Sequence, residues 1–260
     1  MYKPRLDSKG HIRGWSRVPE IEADLIVIDE ASMVTKNLWE DIRSYGIPIV
    51  AIGDHGQLPP VGDEYSLMDK PNLRLETIHR HAADNPILEV ATLARTTGEI
   101  PFRQFSSAVR KIPRKTDEAT EIIDAFFQRA SGDSLILCGR NRTRVAINRK
   151  VRALRGFTGD EPQKSEQVIC LKNNYLVDGG PIYNGMVGIL AGIKSNGAHW
   201  YEAEIEFRDE DRTFTGKISK YQFHKEHYVE DVPGIHYKEI GDRFDFGYAL
   251  TVHKSQGSQA

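Results

Sequence analysis

Short apolar runs and amphipathic stretches take turns along much of this chain. Leu25, Ile26, Val27 and Ile28 form a charge-free, β-branched run, and Ile47 to Ile52 form another. Runs of this kind predict strands of a mostly parallel sheet, buried on both faces. Between them, Leu38, Trp39 and Ile42 recur at helical spacing from Thr35 to Gly46, which predicts a crossover helix with Trp39 in the core and Gly46 at its stop. Pro86 to Thr97 and Thr116 to Ala130 predict packing helices, the former stopped by Gly98. Ser134 to Cys138 reads as a further buried strand, followed by a helix from Asn141, its N-cap, to Gly156, and Tyr248 to Val252 as one more buried strand.

Two other regions carry a different pattern. Tyr2 to Leu6 and His11 to Val18 alternate in part around Asp7-Ser8-Lys9-Gly10, which suits a β-hairpin. From Gln167 to Phe246, short runs such as Val168–Leu171, Gly185–Leu190, Trp200–Phe207 and Thr213–Ile218 are separated by Gly, Asn and Asp turns with no helical pattern between them, which predicts a small antiparallel barrel.

The apolar strands end in chemistry. Asp29 and Glu30 close the first run, Gly53-Asp54 closes the second, and Gln57-Leu58-Pro59-Pro60 follows. Open α/β sheets bind ligands beyond the carboxyl ends of their strands, so the two strands are expected to deliver acid, acid and amide to one rim placed for ligand chemistry. In nucleotide hydrolysis one carboxylate holds Mg²⁺ through its water shell, a second orients or deprotonates water, and a neutral amide reads the γ-phosphate without repelling it. Asp29, Glu30 and Gln57 fit those roles.

The strand ending in DEAS (29–32) and the following GDHGQLPPVG (53–62) resemble motifs II and III of superfamily 1 DNA helicases, in the branch typified by RecD and Dda. The resemblance extends to LRLETIHRH (73–81), similar to a motif whose arginine, here Arg80, reaches the γ-phosphate; to Asn141 and Asn148 in an N-x-x-x-x-x-x-N pattern; to YNGMVGIL (183–190), similar to an SH3-like insertion; and to TVHKSQG (251–257), similar to motif V. It implies an α/β fold of P-loop NTPase type: RecA-like motor domains of parallel sheets with flanking helices, and an inserted SH3-like β-barrel. The corresponding division is 1–75 for part of a first motor domain, 76–164 with 246–260 for a second, and 165–245 for the barrel. ATP and Mg²⁺ are the implied cofactors, with Asp29 on the metal and Glu30, Gln57 and Arg80 as catalytic groups; Asp29, Glu30, Gln57, Arg80 and Gly257 line the nucleotide. Thr251, His253 and Lys254 are the implied contacts to single-stranded DNA, and the hairpin cations Lys3, Arg5 and Arg13, with His11 and Trp15, are candidates at duplex-DNA junctions.

No GxxxxGKS or GxxxxGKT loop occurs in these 260 residues, nor does the arginine-bearing motif VI. A nucleotide-hydrolysing motor needs such a loop to hold the β- and γ-phosphates. The expectation is a fragment of a 5′→3′ helicase, with the loop on a preceding N-terminal segment and negligible ATPase in this chain alone. The alternative is a non-catalytic DNA-binding or clamp module derived from a helicase.

Composition narrows the picture further. Hydrophobic residues make up 39% of the chain, ordinary for a soluble protein, and no apolar stretch is long enough to span a bilayer; with no signal-peptide pattern at Met1, a cytoplasmic protein is expected. The two cysteines, Cys138 and Cys170, sit in apolar runs with no ligand spacing and read as buried thiols. Net charge is −2, so any nucleic-acid surface must be local. The cationic stretch is Arg140 to Arg155, whose Val145, Val151 and Leu154 supply a docking stripe and leave the cations for solvent or phosphate.

Overall fold

The computed structural model describes residues 1–6, 12–58, 60, 62, 65–75, 85–129, 134–207, 210–236 and 239–255. They form two compact units, Met1–Thr116 and Asp117–Ala260. No helix among them is long and apolar enough to cross a membrane.

In the first unit, β1 (Tyr2–Leu6) and β2 (Ile12–Arg17) pair antiparallel as the alternation predicts. The hairpin is fastened to α1 (Lys36–Arg43): the Tyr2 hydroxyl and the Arg17 guanidinium both donate to the Asp41 carboxylate, and the Tyr45 hydroxyl donates to the Val18 carbonyl at 2.6 Å. Strands β3 (Ile26–Ile28) and β4 (Ile49–Ala51) pair parallel, with Ile26 beside Ile49 and Val27 beside Val50. The α1 crossover starts where Thr35 accepts a hydrogen bond from the Leu38 amide, and Gly46 takes a positive φ of 68° just beyond it. Leu38 and Trp39 pack with Ile28 and Ala51 around buried Ala31, Val34 and Met68.

The expectation that this sheet is buried on both faces is corrected. Val27 is 59% exposed and Val50, its register partner, 46%, with Leu25 and Ile52 exposed as well. Period-2 alternation puts Ile28 and Ala51 on the face that meets the α1 side chains and Val27 and Val50 on the other, which no described element covers. Helix α2 (Pro86–Thr97) starts at the Asn85 side-chain cap and ends at Gly98, and none of its residues is buried.

In the second unit, α3 (Asp117–Arg129), β5 (Ile136–Cys138) and α4 (Asn141–Leu154) precede a five-stranded antiparallel sheet. Its strands β6 (Gln167–Cys170), β7 (Val187–Lys194), β8 (Trp200–Phe207), β9 (Thr213–Ser219) and β10 (Phe244–Phe246) stand in the order β10-β6-β7-β8-β9. An isolated bridge joins Ile218 at the β9 edge to Asp242, two residues before β10. Gly241 makes that approach possible: at φ 78°, a Cβ there would lie 2.6 Å from the Lys217 carbonyl oxygen. Strand β11 (Ala249–Thr251) then pairs parallel to β5, followed by the short α5 (Val252–Ser255). All three β11 residues are buried, but Leu137 in the middle of β5 is 50% exposed, so β5 is not the fully buried strand its composition suggests.

Helix α4 departs most from its sequence reading. Its N-cap is Arg140, with no side-chain cap; Asn141 is already the first helical residue and accepts from the Arg144 guanidinium instead. Nor are its cations all left for solvent. Arg144 donates to Asp245 at 2.6 Å, and Arg152 forms a two-pronged pair with Glu166 at 2.7 and 3.0 Å, all four side chains being nearly inaccessible. Lys150 pairs with Asp124 of α3, and Arg155 lies over the Tyr248 ring. A basic helix lying on a sheet with two inward carboxylates satisfies them with its own cations, because a buried unpaired charge costs several kcal/mol. Asn148 completes the seam, donating to the Phe246 carbonyl and accepting from the Ala249 amide, both at 2.8 Å.

Of the thiols, Cys170 is fully buried and its pKa is pushed up to about 12 by burial, while Cys138 is only half-buried; both are free. Glu166→Ala, which strands the Arg152 cation, is expected to cost about 3–5 kcal/mol in urea unfolding. Lys150→Ala, on the same helix but in a largely exposed pair, should cost no more than about 1 kcal/mol.

Candidate functional site

The rim of the β3–β4 pair is built by two successive connections. After Ile28 the chain continues alongside β4, the Ile52 amide donating to the Ile28 carbonyl at 2.8 Å and the Ala31 amide to the Ile52 carbonyl at 2.9 Å. Asp29 and Glu30 lie between those bonds, both exposed, and the Glu30 amide donates to Asp29 Oδ1 at 2.8 Å. Glu30 adopts the left-handed conformation, φ 51° and ψ 41°. An L-residue pays of the order of 1–2 kcal/mol for that geometry, so the acid is held there by the bonds on either side of it.

The second connection is drawn onto the first. Gly53 passes so close to the 31–32 backbone that a Cβ would lie 3.0 Å from the Ser32 nitrogen and 3.1 Å from that of Ala31. Asp54 then closes a turn, accepting the Gly56 amide at 2.8 Å and giving its carbonyl to the Gln57 amide. Gln57 ends with Oε1 accepting from the hydroxyl of buried Ser32 at 2.9 Å. Asp29, Glu30 and Gln57 therefore belong to one rim, and a side-chain hydrogen bond links the DEAS and GDHGQ segments. With Oε1 engaged, the carboxamide orientation is set.

One residue at this rim was not read from the sequence. Arg95, in α2, donates to Asp54 Oδ2 at 3.3 Å and lies where a Cβ on Gly56 would be, 2.4 Å from its guanidinium. Nothing in the local pattern signals it, because it is a helical Arg some forty positions downstream; Gly56, whose missing side chain leaves the space, is the nearest trace.

Arg80 and Gly257 lie outside the described residues, as do the Pro59 and Val61 of the loop behind Gln57. Thr251 is 8% exposed at the end of β11, His253 is exposed, and Lys254 is half-buried in α5. Burial, and then the nearby Arg144 cation, lower the Lys254 pKa, against which Asp245 acts. As to metal, no cluster of three or more His, Cys, Asp or Glu occurs among the described residues. A strand-end carboxylate with exposed oxygens is nonetheless the donor type that Mg²⁺ uses, since that ion keeps several waters and takes one or two carboxylates besides phosphate.

Parallel strands thus end in adjacent acids, and the loop after the second strand is hydrogen-bonded to the segment that carries them. The chain is 23% identical over an alignment of 274 positions to the ATP-dependent RecD2 DNA helicase of Deinococcus radiodurans, covering 91% of this chain and 31% of that protein. It is 26% identical over an alignment of 272 positions to the conjugal transfer protein TraA of Agrobacterium fabrum, covering 94% of this chain and 22% of that one. A solved structure of Pif1 helicases at forked duplex DNA aligns with 90% of the chain and 60% of its own, at 17% identity and a TM-score of 0.49. No family model matches. The chain is thus similar along most of its length to a RecD-type DNA helicase, and it spans under a third of either curated relative.

Two substitutions probe the rim geometry. Glu30→Gly, which relieves the left-handed strain, is expected to raise stability by up to about 1 kcal/mol in thermal unfolding. Gly53→Ala should lower it by about 1–3 kcal/mol, since its new methyl meets backbone that cannot yield.

Proposed function

We propose that this chain is part of an ATP-dependent 5′→3′ DNA helicase, in which Mg-ATP hydrolysis between RecA-like motor domains drives translocation on single-stranded DNA and opening of the duplex. The observation that carries the reading is the Ser32–Gln57 hydrogen bond, because it ties the segment bearing Gln57 to the one bearing Asp29 and Glu30. Polarity is taken from the motif resemblance alone, not from any residue of this chain.

In this reading Asp29 holds Mg²⁺ through water, and Glu30, turned outward by its left-handed backbone, accepts a proton from the attacking water. Mg²⁺, when bound, neutralises charge developing on the transferred phosphoryl group. Gln57 hydrogen-bonds the γ-phosphate region without adding charge, and Arg80 supplies a planar cationic fork to it. Thr251, His253 and Lys254 meet the DNA backbone, Gly257 lets the chain approach the nucleotide, and the hairpin of β1 and β2 works at the junction with duplex. The bridge between Ile218 and Asp242, which links the two edges of the five-stranded sheet, supports its assignment as an SH3-like barrel clamping the strand. The corresponding domains are 1–75, 76–164 with 246–260, and 165–245.

Without a phosphate-cradling loop in these 260 residues, the chain alone lacks a major source of phosphate stabilisation and turns over ATP negligibly. The test is two measurements on the 260-residue chain. A labelled oligo-dT should bind at low salt, weaken steeply as salt rises, and weaken several-fold with His253→Ala. Phosphate release from Mg-ATP, with or without the oligonucleotide, should stay at background. Absence of oligo-dT binding at low salt overturns the helicase reading; turnover typical of an intact helicase, abolished by Glu30→Gln, overturns the inactivity of the isolated chain.

A further inference from the structure

Within the Asp117–Ala260 unit, a cleft of about 420 Å³ opens between the outer side of α4 and the segment that follows β9. Arg149 of α4 lines it, as do Lys220, Tyr221, His224 and Lys225 from the 220–225 segment. Arg149 and Lys225 are exposed and make no ion pair among the described residues. Lys220 donates to Ser195 Oγ at 2.7 Å and stands 4.9 Å from the Tyr201 ring, while Tyr221 stacks beside His199. Of the two acids on the wall, Glu161 accepts from the Tyr201 hydroxyl, and Asp160 is largely in solvent, 3.8 Å from His224 Nε2.

His224 is the unusual member. Its backbone is left-handed at φ 62°, and it is pinned there: its amide donates to Asp245 Oδ1 at 3.1 Å, and the next carbonyl, that of Lys225, accepts from Arg144 at 2.6 Å. Its side chain is 7% exposed. The Arg152 guanidinium, 3.3 Å from Nε2, can only donate, so Nε2 accepts and the neutral ring carries its proton on Nδ1. That Nδ1 is buried and has no hydrogen-bond partner among the described residues. Burial foremost, then Arg149 and Arg152, lowers the His224 pKa to about 4, so the ring stays neutral near pH 7. A non-glycine residue held in strain, an unused buried donor and an excess of unpaired cations over aromatic walls are brought together in one cleft.

We infer that this cleft binds a nucleotide unit, its phosphate on Arg149 and Lys225 and its base against the Tyr221 side of the wall. An acidic peptide would use the cations but has no need of the rings, whereas stacking and phosphate pairing together are how single-stranded nucleic acid is held. The inference deepens the DNA-handling reading and rests on it for the source of the nucleotide: a strand running over α4, or a free nucleotide.

The test uses the 260-residue chain and its Arg149→Glu/Lys225→Glu variant. Both positions are exposed, so the variant should keep the wild-type unfolding midpoint. Labelled oligo-dT binding should fall at least about tenfold in the variant, and its salt slope should drop by about 0.7, the loss of one single-strand phosphate contact. Thymidine monophosphate, followed by shifts in histidine ring resonances, is the second ligand. If the variant loses the monophosphate shifts but keeps oligonucleotide affinity, the nucleotide site stands and its source is a free nucleotide. If neither ligand distinguishes the variant from wild type, the site is overturned while oligonucleotide binding by both leaves the helicase reading intact. Displacement of oligo-dT by poly-glutamate as readily as by unlabelled oligo-dT also overturns it.

Discussion

Two buried guanidinium–carboxylate pairs set the geometry of the larger unit. Arg144 with Asp245 in the middle of β10 and Arg152 with Glu166 just before β6 tie α4 to the β6–β10 seam at two points, and neither pair tolerates loss of one member without stranding the other charge. The pairs are satisfied beyond their mutual contact. Asp245 also accepts amides from His224 and Phe246, and Glu166 accepts the Gln163 amide and the Tyr248 hydroxyl. Each carboxylate thus draws a separate piece of chain toward α4, which makes the helix the organiser of the strands rather than a layer laid over them. Directional bonds of this kind fix register and angle where the apolar core alone would permit sliding.

The smaller rim in Met1–Thr116 is held by a different means: close backbone approach. With a small buried apolar cluster of Ala31, Val34 and Met68 among the described residues there, the loops after β3 and β4 keep their positions through Gly53 against the 31–32 amides and Ser32 against Gln57. The strain at Glu30 is sustained by the same bonds. Such placement matters for any ligand that meets this rim, because an acid and an amide already oriented lose less freedom on binding.

Much of this was legible along the chain, and the parts that were not share a cause. Helix boundaries at Thr35, Gly46, Asn85 and Gly98 follow from capping chemistry, which is local, and the alternation in β8 marks its inward face residue by residue. The acid and amide at the rim were readable because strand ends and motif spacing are also local. What failed was the environment of charge. Arg144 and Arg152 look like any surface cation in sequence, since the carboxylates that claim them lie 101 and 14 positions away, and the first of these separations spans the whole antiparallel sheet. Arg95 escaped for the same reason. The exposure of Val27 and Val50 shows the converse limit: an apolar run reports what a strand is suited to, not which described neighbour covers each face.

The distribution of what charge remains bears on how a polyanion can meet the second unit. Along β8, Tyr201, Ala203, Ile205 and Phe207 point into the core, so Glu202, Glu204 and Glu206 must all share the outer face. Only Glu202 has cations opposite, Lys194 on one neighbour and Lys217 on the other; Glu204 faces Gly192 and Thr215, and Glu206 faces Ile189 and Thr213. That face repels phosphate. On α4, the inward arginines are already neutralised, and Arg140, Arg142 and Arg149 are left exposed. A chain with net charge −2 therefore keeps a locally cationic side, because its folding spends two cations on internal carboxylates, groups the unpaired acids on one sheet face, and leaves a positive field along the outer side of a single helix.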